Sequence, residues 1–276
     1  MQAILISRID RLPAVEKELL QTLAVIGTQF PLALAREVIK KPVDDLNQTL
    51  ASLQFGEFIY EQPAAGDVEY TFRHALTHEV AYNSVLQESR KVIHERIGQS
   101  IEKLYADSLE DKVSNLAHHY RRSSNTTKAV DYLVRAAYQA LQRSAFLVAS
   151  EYFEDASELL RALPGGAERD RKEIAIHAGL ADLVLVTKGY AAADYESHLT
   201  RRYALAERLG DATHLFYSLF GISVLSAFRL EVGRAREIGE NLIKLADQTG
   251  DPWMQLRAHV SMANVLYIMG DFSGSR

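Results

Sequence analysis

The fold of most of this chain follows from the stretch AERLGD at residues 206–211, which returns in altered form as ADQTGD at residues 246–251. The steps Gly210-Asp211 and Gly250-Asp251 lie 40 residues apart, and each ends a segment with helical spacing. Self-similarity at a fixed period of about 20–50 residues is typical of stacked repeats. A second turn divides each unit, so the sequence predicts pairs of helices stacked in an array.

Turn signals divide residues 127–276 into helix pairs. The predicted pairs are 127–143 with 145–161, 169–187 with 191–209, and 211–228 with 232–249, and a half unit remains at 252–269. Small residues mark places where neighbouring helices can approach closely: Ala129, Ala136, Ala137, Ala140, Ala149 and Ala156. The units resemble tetratricopeptide repeats in their helix-turn-helix form, but they exceed the usual length of about 34 residues.

Stacked helix pairs form an extended groove whose ligands are usually proteins or peptides. We therefore expect a protein or peptide partner, an inference from architecture and not from a site. Tyr132, Tyr195 and Tyr217 are candidates to line such a groove. Aromatic residues at helical spacing belong to the core more often, so the sequence assigns no protein-binding residue.

The half unit at 252–269 carries more apolar surface than one helix pair can cover. One stripe contains Trp253, Leu256, Val260, Ala263 and Tyr267, and Met262, Leu266 and Met269 lie beside it. This pattern predicts a helix covered on two sides, with a second covering helix that starts near residues 270–272. The sequence stops at Arg276. We therefore expect a truncated array with apolar surface open to solvent.

The first part of the chain has the element order of a winged helix. The predicted elements are helices at 13–26, 31–39 and 42–54 and strands at 58–61 and 68–72. Pro13 and Pro42 suit the first turn of a helix because the missing N–H is not needed there, and Gly27 ends the first helix. Alternating apolar residues predict one β-hairpin, closed by the turn-forming residues 63–67.

The fold class predicted from these patterns is mainly α, a winged-helix-like domain with one β-hairpin followed by a TPR-like α-solenoid. The predicted domains are 1–88 for the winged-helix-like domain, 89–126 for connecting helices, and 127–276 for the repeats, the last of them incomplete. Winged helices often read DNA through the third helix. Here residues 43–54 carry Asp44 and Asp45 and no Lys or Arg, the wrong charge for a DNA groove. We therefore expect no nucleic-acid binding.

Composition limits the other functions. The chain has 276 residues, 47% hydrophobic and 24% charged, with a net charge of -5 and no cysteine. The absence of cysteine excludes disulfides, thiolate metal sites and a cysteine nucleophile, and it fits a reducing compartment. The longest uncharged apolar stretch, 215–228, is shorter than the roughly 20 residues that cross a bilayer, and the N-terminus is a poor signal peptide. We expect a cytoplasmic protein without membrane association.

The sequence contains no catalytic or cofactor motif. It has no G-x-x-x-x-G-K-[ST] loop for a nucleotide and no G-x-S-x-G elbow for a nucleophile. The pairs Glu110-Asp111 and Glu154-Asp155 are interpreted as solvated helix surfaces. We therefore predict no catalytic residue and no cofactor site, and the chain is not expected to be an enzyme.

Histidines offer the nearest approach to a metal site. His74 and His78 are four residues apart, but Ala75 stands where the H-E-x-x-H motif requires Glu, and Gly98 stands where a second His should follow His94. The adjacent His118 and His119 point about 100° apart on a helix. These residues are interpreted as capping, packing or surface groups, and no metal is predicted.

Three segments together resemble a known family. They are RIDRLP at residues 8–13 with AVIG at 24–27, YTFRHALTHEVAY at 70–82, and LAHHY at 116–120. They are similar to the region downstream of the nucleotide-binding domain in bacterial STAND-type AAA ATPases, often found with a class III adenylate or guanylate cyclase domain. The resemblance covers nearly the whole chain, and it is most specific in the first two segments.

The resemblance implies a non-catalytic regulatory and protein-interaction segment of a signal-transduction ATPase. In the family, an effector and a P-loop ATPase precede the winged-helix-like region and the repeats, so ATP is expected only in a missing upstream domain that this chain contacts. An alternative is a fragment of a LuxR-type ATP-dependent transcriptional activator. The sequence leaves open the partner, the signal, the effector, the oligomeric state, and whether the chain is a natural short product or a truncation.

Overall fold

The computed structural model describes residues 2–63, 68–271 and 274, so most of the predicted turn at 63–67 lies outside the described residues. The described part is mainly helical, with fourteen α-helices and three short strands. The helices are α1 Gln2–Asp10, α2 Ala14–Ile26, α3 Leu32–Ile39, α4 Val43–Phe55, α5 Ala75–Asn83, α6 Gln87–Leu104, α7 Val113–Arg121, α8 Thr126–Gln142, α9 Phe146–Leu160, α10 Ala167–Lys188, α11 Ala193–Leu209, α12 Ala212–Phe228, α13 Val232–Thr249 and α14 Pro252–Ile268. The strands are β1 Gln29–Pro31, β2 Ile59–Pro63 and β3 Val68–Phe72, and a 3-10 helix covers Ala106–Lys112.

The chain forms two compact units, Met1–Tyr132 and Leu133–Arg276. The division falls within α8. The finer division into 1–88, 89–126 and 127–276 stays a prediction.

In the first unit, α2 lies against α3, α4, α5 and α6. It begins directly after Pro13 and ends before Gly27, whose N–H donates to the Leu23 carbonyl at 3.2 Å. Leu19, Leu20 and Leu23 are buried along one side of the helix. This helix and α3 and α4 match the three predicted helices, because the proline and glycine signals bound them where expected.

The sheet of the first unit has the strand order β1-β3-β2, and both pairings are antiparallel. The predicted hairpin is therefore present as β2 and β3, with Tyr60 opposite Thr71. The third strand, β1, was not predicted, and the expectation of one hairpin alone was wrong. Its three residues are too few to show a period, but Phe30 is fully buried and stacks on Tyr70 with 6.0 Å between ring centroids.

The predicted alternation of buried and exposed side chains was correct for β3 and wrong for the start of β2. Tyr70 and Phe72 are buried on one face of β3. Phe58 and Ile59 are both buried although they are adjacent. Phe58 precedes the strand and belongs to the turn after α4, where its N–H donates to the Leu53 carbonyl at 3.0 Å, so the strand period does not apply to it.

Two helices of the first unit, α1 and α5, were not predicted. Helix α1 buries only Leu5 and Ile9 among its described side chains, which leaves almost no periodic signal. Helix α5 begins after His74 and lies within the segment 70–82 that carries the family resemblance. His78 Nε2 donates to the Ala24 carbonyl at 2.9 Å and thereby joins α5 to α2.

The second unit confirms the predicted helix pairs, and every helix boundary lies within two residues of the predicted one. Consecutive helices from α9 to α14 are in contact, and α12 also contacts α14. A contact between the first helices of successive pairs is what stacking of repeats produces. Tyr138 of α8 and Phe153 of α9 meet edge to face, with ring centroids 5.7 Å apart.

The Gly-Asp repeat acts through local backbone chemistry. Gly210 and Gly250 end α11 and α13 in the left-handed conformation, with φ of 67° and 68°, which glycine adopts without steric cost. The aspartates then cap the next helices: Asp211 Oδ1 accepts from His214 N at 2.9 Å, and Asp251 Oδ1 accepts from Trp253 N at 2.8 Å. Each Gly-Asp step therefore stops one helix and starts another.

Helix α14 faces its neighbours with a stripe other than the predicted one. The buried residues are Met254, Ala258, Ser261 and Val265, and Ser261 Oγ lies 3.0 Å from Ser223 Oγ of α12. The predicted stripe is largely exposed, including Trp253 at 69% and Tyr267 at 64%. The small residues Ala258 and Ser261 lie in the middle of the buried stripe. The expected open apolar surface is therefore present on α14.

Within the part of the chain that the structure describes, no helix combines the length and the apolar content needed to span a bilayer.

Candidate functional site

The second unit contains a cavity of about 530 Å³, here called the repeat cavity. Residues of α8, α10, α12 and α14, the first helices of successive pairs, line it together with residues of α11. A volume of this size falls within the roughly 300–1,000 Å³ of sites that hold small ligands or the side chains of a partner. The array therefore forms a site that no single repeat could form.

Aromatic side chains form much of the wall of the repeat cavity. Tyr138, Tyr190, Tyr195, Tyr217 and Phe220 all line it. Burial raises the pKa of Tyr138 and of Tyr195 to about 12, so both phenols keep their protons at neutral pH. The wall offers aromatic surface together with phenol hydroxyl groups, which suits an aromatic or aliphatic group.

The part of the repeat cavity lined by Tyr195, Leu199 and Gly221 depends on close approach between α11 and α12. A Cβ atom at Gly221 would lie 2.7 Å from Leu199 Cδ1 and 3.1 Å from the Tyr195 hydroxyl. Any larger residue at position 221 would force the Leu199 or Tyr195 side chain to move, so glycine lets α12 lie this near α11 with both side chains in place. Residue 221 helps to set the position of two side chains that line the repeat cavity.

Two opposite charges line the same cavity, Asp182 of α10 and Arg202 of α11. Arg202 Nε is buried and has no hydrogen-bond partner among the described residues. Burial lowers the pKa of the Arg202 guanidinium, and burial raises the pKa of the Asp182 carboxyl, although Arg202 opposes the second shift. Arg202 is half-buried, whereas the Asp182 side chain keeps more of its contact with water.

Two further basic groups lie beside this pair. Burial lowers the pKa of His214, and the charge of Arg202 lowers it further, so the imidazole is neutral at pH 7. Arg257 of α14 lies over Tyr217 and Phe220, with its Cζ 5.7 Å and 5.6 Å from the two ring centroids. At neutral pH the charged groups lining the cavity are therefore one carboxylate and two guanidinium groups.

A second cavity of about 330 Å³ lies between α12 and α14. Most of its lining is apolar, including Phe220, Val224, Val260 and Val265. Phe220 and Val224 line both cavities, so the apolar lining of the repeat cavity continues toward the exposed face of α14.

The structure separates the three tyrosines that the sequence suggested for a groove. Tyr195 and Tyr217 line the repeat cavity. Tyr132 belongs to the first unit, where its hydroxyl donates to Glu102 Oε1 at 2.7 Å. Its ring stacks on that of Tyr120 with 5.3 Å between centroids. Tyr132 therefore takes part in packing.

Sequence reasoning missed Asp182 and Arg202, two of the three charged residues that line the repeat cavity. A signal for them was present: Tyr195, Leu199, Arg202 and Ala206 recur at helical spacing on α11, so Arg202 interrupts an apolar stripe. In the same way Asp182 lies four residues after Ala178 and three before Leu185 on α10. A charge within an apolar stripe indicates a candidate polar site; here Arg202 is half-buried and Asp182 is exposed.

The five histidines His74, His78, His94, His118 and His119 lie in the first unit. His94 Nδ1 and His119 Nδ1 are 2.9 Å apart, and the Tyr82 hydroxyl lies 3.2 Å from His94 Nε2. Burial lowers the pKa of His94 to about 3 and that of His118 to about 4, and it lowers the pKa of His119 strongly. All three are therefore neutral at pH 7, and one ring of the pair donates its Nδ1 proton to the other.

Over residues 2–63, 68–271 and 274, no group of three or more His, Asp or Glu side chains has the arrangement of a metal site. The paired carboxylates lie on helix surfaces or in the 3-10 helix. Glu154 accepts from Ser150 Oγ at 3.0 Å, and Glu110 and Asp111 are exposed in the 3-10 helix.

No protein-family model matches the chain. Over 192 residues it is 26% identical to the uncharacterized protein R02095 of Rhizobium meliloti (strain 1021), an alignment that covers 68% of this chain and 18% of that protein. Among solved structures, it is similar to a signal transduction ATPase with numerous domains (STAND) with a tetratricopeptide repeat sensor, PH0952 from Pyrococcus horikoshii. The TM-score is 0.47 at 10% identity, over 97% of this chain and 50% of that one. The chain therefore spans half of that structure and less than a fifth of the curated relative.

Proposed function

We propose that this chain is a non-catalytic regulatory and protein-interaction segment of a STAND-type signal-transduction ATPase that also carries an adenylate or guanylate cyclase domain. The observation that carries the proposal is the repeat cavity, which combines residues of successive helix pairs into one recognition surface. A binding site assembled across repeats suits a sensor, because its occupant stabilises the packing of several helices at once.

The first unit supplies the second part of the proposal. The order α2-β1-α3-α4-β2-β3, with β3 at the centre of the sheet, supports a winged-helix-like domain. Its α4 carries the exposed carboxylates Asp44 and Asp45 and no basic side chain, which argues against binding to phosphates. We assign this domain a role in contacting the nucleotide-binding domain of the parent protein.

The proposed mechanism is a shift between two states of the parent ATPase. A ligand can move such an equilibrium only by its difference in affinity for the two states, so the occupant must bind the active state more tightly. A tenfold difference in affinity, about 1.4 kcal/mol, changes the ratio of the states tenfold. The ATP itself binds outside this chain, which acts in a cytoplasmic protein.

The proposal is tested first on the gene and then on the parent protein. The coding DNA upstream of this segment is expected to encode a G-x-x-x-x-G-K-[ST] loop and a cyclase domain in frame. The parent is then prepared with Arg202→Gln and, as a matched control, with Arg201→Gln, since Arg201 lies next to it on α11 and pairs with Glu173. We expect Arg202→Gln to change the regulation of ATP turnover and the control to leave it unchanged.

Two results would contradict the proposal. An upstream sequence without a nucleotide-binding loop would remove the ATPase to be regulated. Micromolar binding of MgATP to the isolated chain by calorimetry, with turnover above background, would place the nucleotide chemistry on this chain.

A further inference from the structure

Asp182 and Arg202 line one cavity without forming an ion pair with each other. Neither side chain makes an ion pair with any other residue in the described part of the chain, and Arg202 Nε is buried without a hydrogen-bond partner. Burying a charge is costly unless a counter-charge or hydrogen bonds compensate for the lost water. The half-buried Arg202 would therefore gain from an external acceptor, and the exposed carboxylate of Asp182 lies in the same cavity, where it can accept from a donor on the same ligand.

The charges of Asp182 and Arg202 indicate which charges a ligand of the repeat cavity carries. An anion in the cavity would be attracted by Arg202 and repelled by Asp182. A cation would be attracted by Asp182 and repelled by Arg202. A ligand that carries both an ammonium and a carboxylate compensates both side chains at once. Arg257, which also lines the cavity, favours the carboxylate end, and the neutral His214 adds no charge. The raised pKa of Asp182 and the lowered pKa of Arg202, both caused mainly by burial, agree with this conclusion.

The walls of the repeat cavity indicate the chemistry of the uncharged part of the ligand. Tyr195, Tyr217 and Phe220 present aromatic surface within the same cavity as the charged pair. A volume of about 530 Å³ is larger than one amino-acid side chain and admits an amino acid with its hydration water or a short peptide. Flat apolar walls favour an aromatic or large aliphatic side chain.

We propose that the repeat cavity binds a zwitterionic ligand of amino-acid chemistry, with its carboxylate on Arg202, its ammonium on Asp182 and an apolar side chain against the aromatic wall. A free amino acid and a short peptide share this chemistry. The site goes beyond the proposed function, because it assigns a small ligand to the array, and it can be tested on the isolated chain without the parent ATPase.

The first experiment measures binding of matched probes to the unchanged chain by calorimetry. L-phenylalanine carries both charges, N-acetyl-L-phenylalanine keeps only the carboxylate, and phenethylamine keeps only the ammonium. We expect L-phenylalanine to bind at least tenfold more tightly than either singly charged probe. The tripeptide Gly-Phe-Gly separates the two sources, since its termini are farther apart. Tighter binding of the tripeptide indicates a peptide, and tighter binding of phenylalanine indicates a free amino acid.

The second experiment uses variants. Asp182→Asn and Arg202→Gln should each weaken binding of the tighter zwitterion at least tenfold. Two matched controls remove a charge on the same helices or near them: Arg201→Gln, and Asp194→Asn, whose carboxylate is exposed and paired with Lys188. Both controls should bind within twofold of the unchanged chain.

The proposal is overturned if neither zwitterion binds the unchanged chain at millimolar concentration, or if a singly charged probe binds as tightly as phenylalanine. Because these probes need no substitution, the result stands even if a variant fails to fold. A failure here leaves the proposed regulatory role intact, since that role is measured by the parent's ATP turnover.

Discussion

Replacing His94 with Gln should reduce the loss of stability that this protein suffers in mild acid. His94 is 1% exposed, and burial lowers its pKa from 6.5 to about 3, with His118, Arg122 and Arg90 acting in the same direction. The folded state therefore keeps His94 neutral where the unfolded chain already binds a proton. Because the folded pKa is the lower one, the stabilisation is complete above pH 6.5 and is lost as the pH falls toward 3.

The size of the stability loss in acid follows from the pKa values of His94 in the unfolded and the folded protein. At pH 5.5 the unfolded chain is one unit below its pKa, and the folded protein is still far above its own. The free energy of unfolding is then lower by about 1.4 kcal/mol than at high pH, from this residue alone. His119, whose pKa burial also lowers strongly, adds a loss of the same sign.

Urea unfolding followed by circular dichroism at pH 7.5 and pH 5.5 measures this effect. The difference in unfolding free energy between the two pH values should shrink by about 1.4 kcal/mol in the His94→Gln variant. Comparing each protein with itself removes the constant cost of the lost contacts with Tyr82 and His119. The same substitution at the exposed His259 is the control for removing an imidazole from the surface. A difference that stays the same to within about 0.5 kcal/mol would show that His94 takes up its proton in the folded protein.

Three further predictions concern a helix contact, a partly buried hydrogen bond and DNA binding. Gly221→Ala should destabilise the protein by about 1–3 kcal/mol in urea unfolding, because the new methyl group overlaps Leu199 of α11. As a control, Gly233→Ala should stabilise the protein by about 0.5–1 kcal/mol, because the space around Gly233 is open. Tyr132→Phe should cost about 1 kcal/mol by the same assay, because it removes one of the hydrogen bonds accepted by Glu102. The first unit should fail to shift duplex DNA in a gel at physiological salt, because α4 carries two aspartates and no basic residue; a specific shift lost on changing Asn47 and Gln48 to Ala would contradict this.

The helix pairs of the second unit could be predicted because their signals are local. Gly210 and Gly250 adopt a backbone conformation that other residues reach only at a cost, and the aspartate that follows each of them caps the next helix. These effects act within one turn of chain and need no partner. The same reasoning applied to Pro13 and Gly27 located α2.

Elements without a local signal could not be predicted. Strand β1 has three residues, and only pairing with β3 makes it a strand. The face of α14 is a similar case. Its sequence offers two apolar stripes, and only packing against α12 and α13 decides that Met254, Ala258, Ser261 and Val265 are the buried ones.

By itself, the sequence determined the mainly helical class, the helix pairs and the order of helices and hairpin in the first unit, since turn chemistry and periodicity act at short range. Only the tertiary structure decided the site. Asp182 and Arg202 are 20 positions apart in sequence and lie on different helices, and only packing of α10 on α11 brings them into one cavity. Burial then alters their proton affinities, and burial depends on how the helices pack.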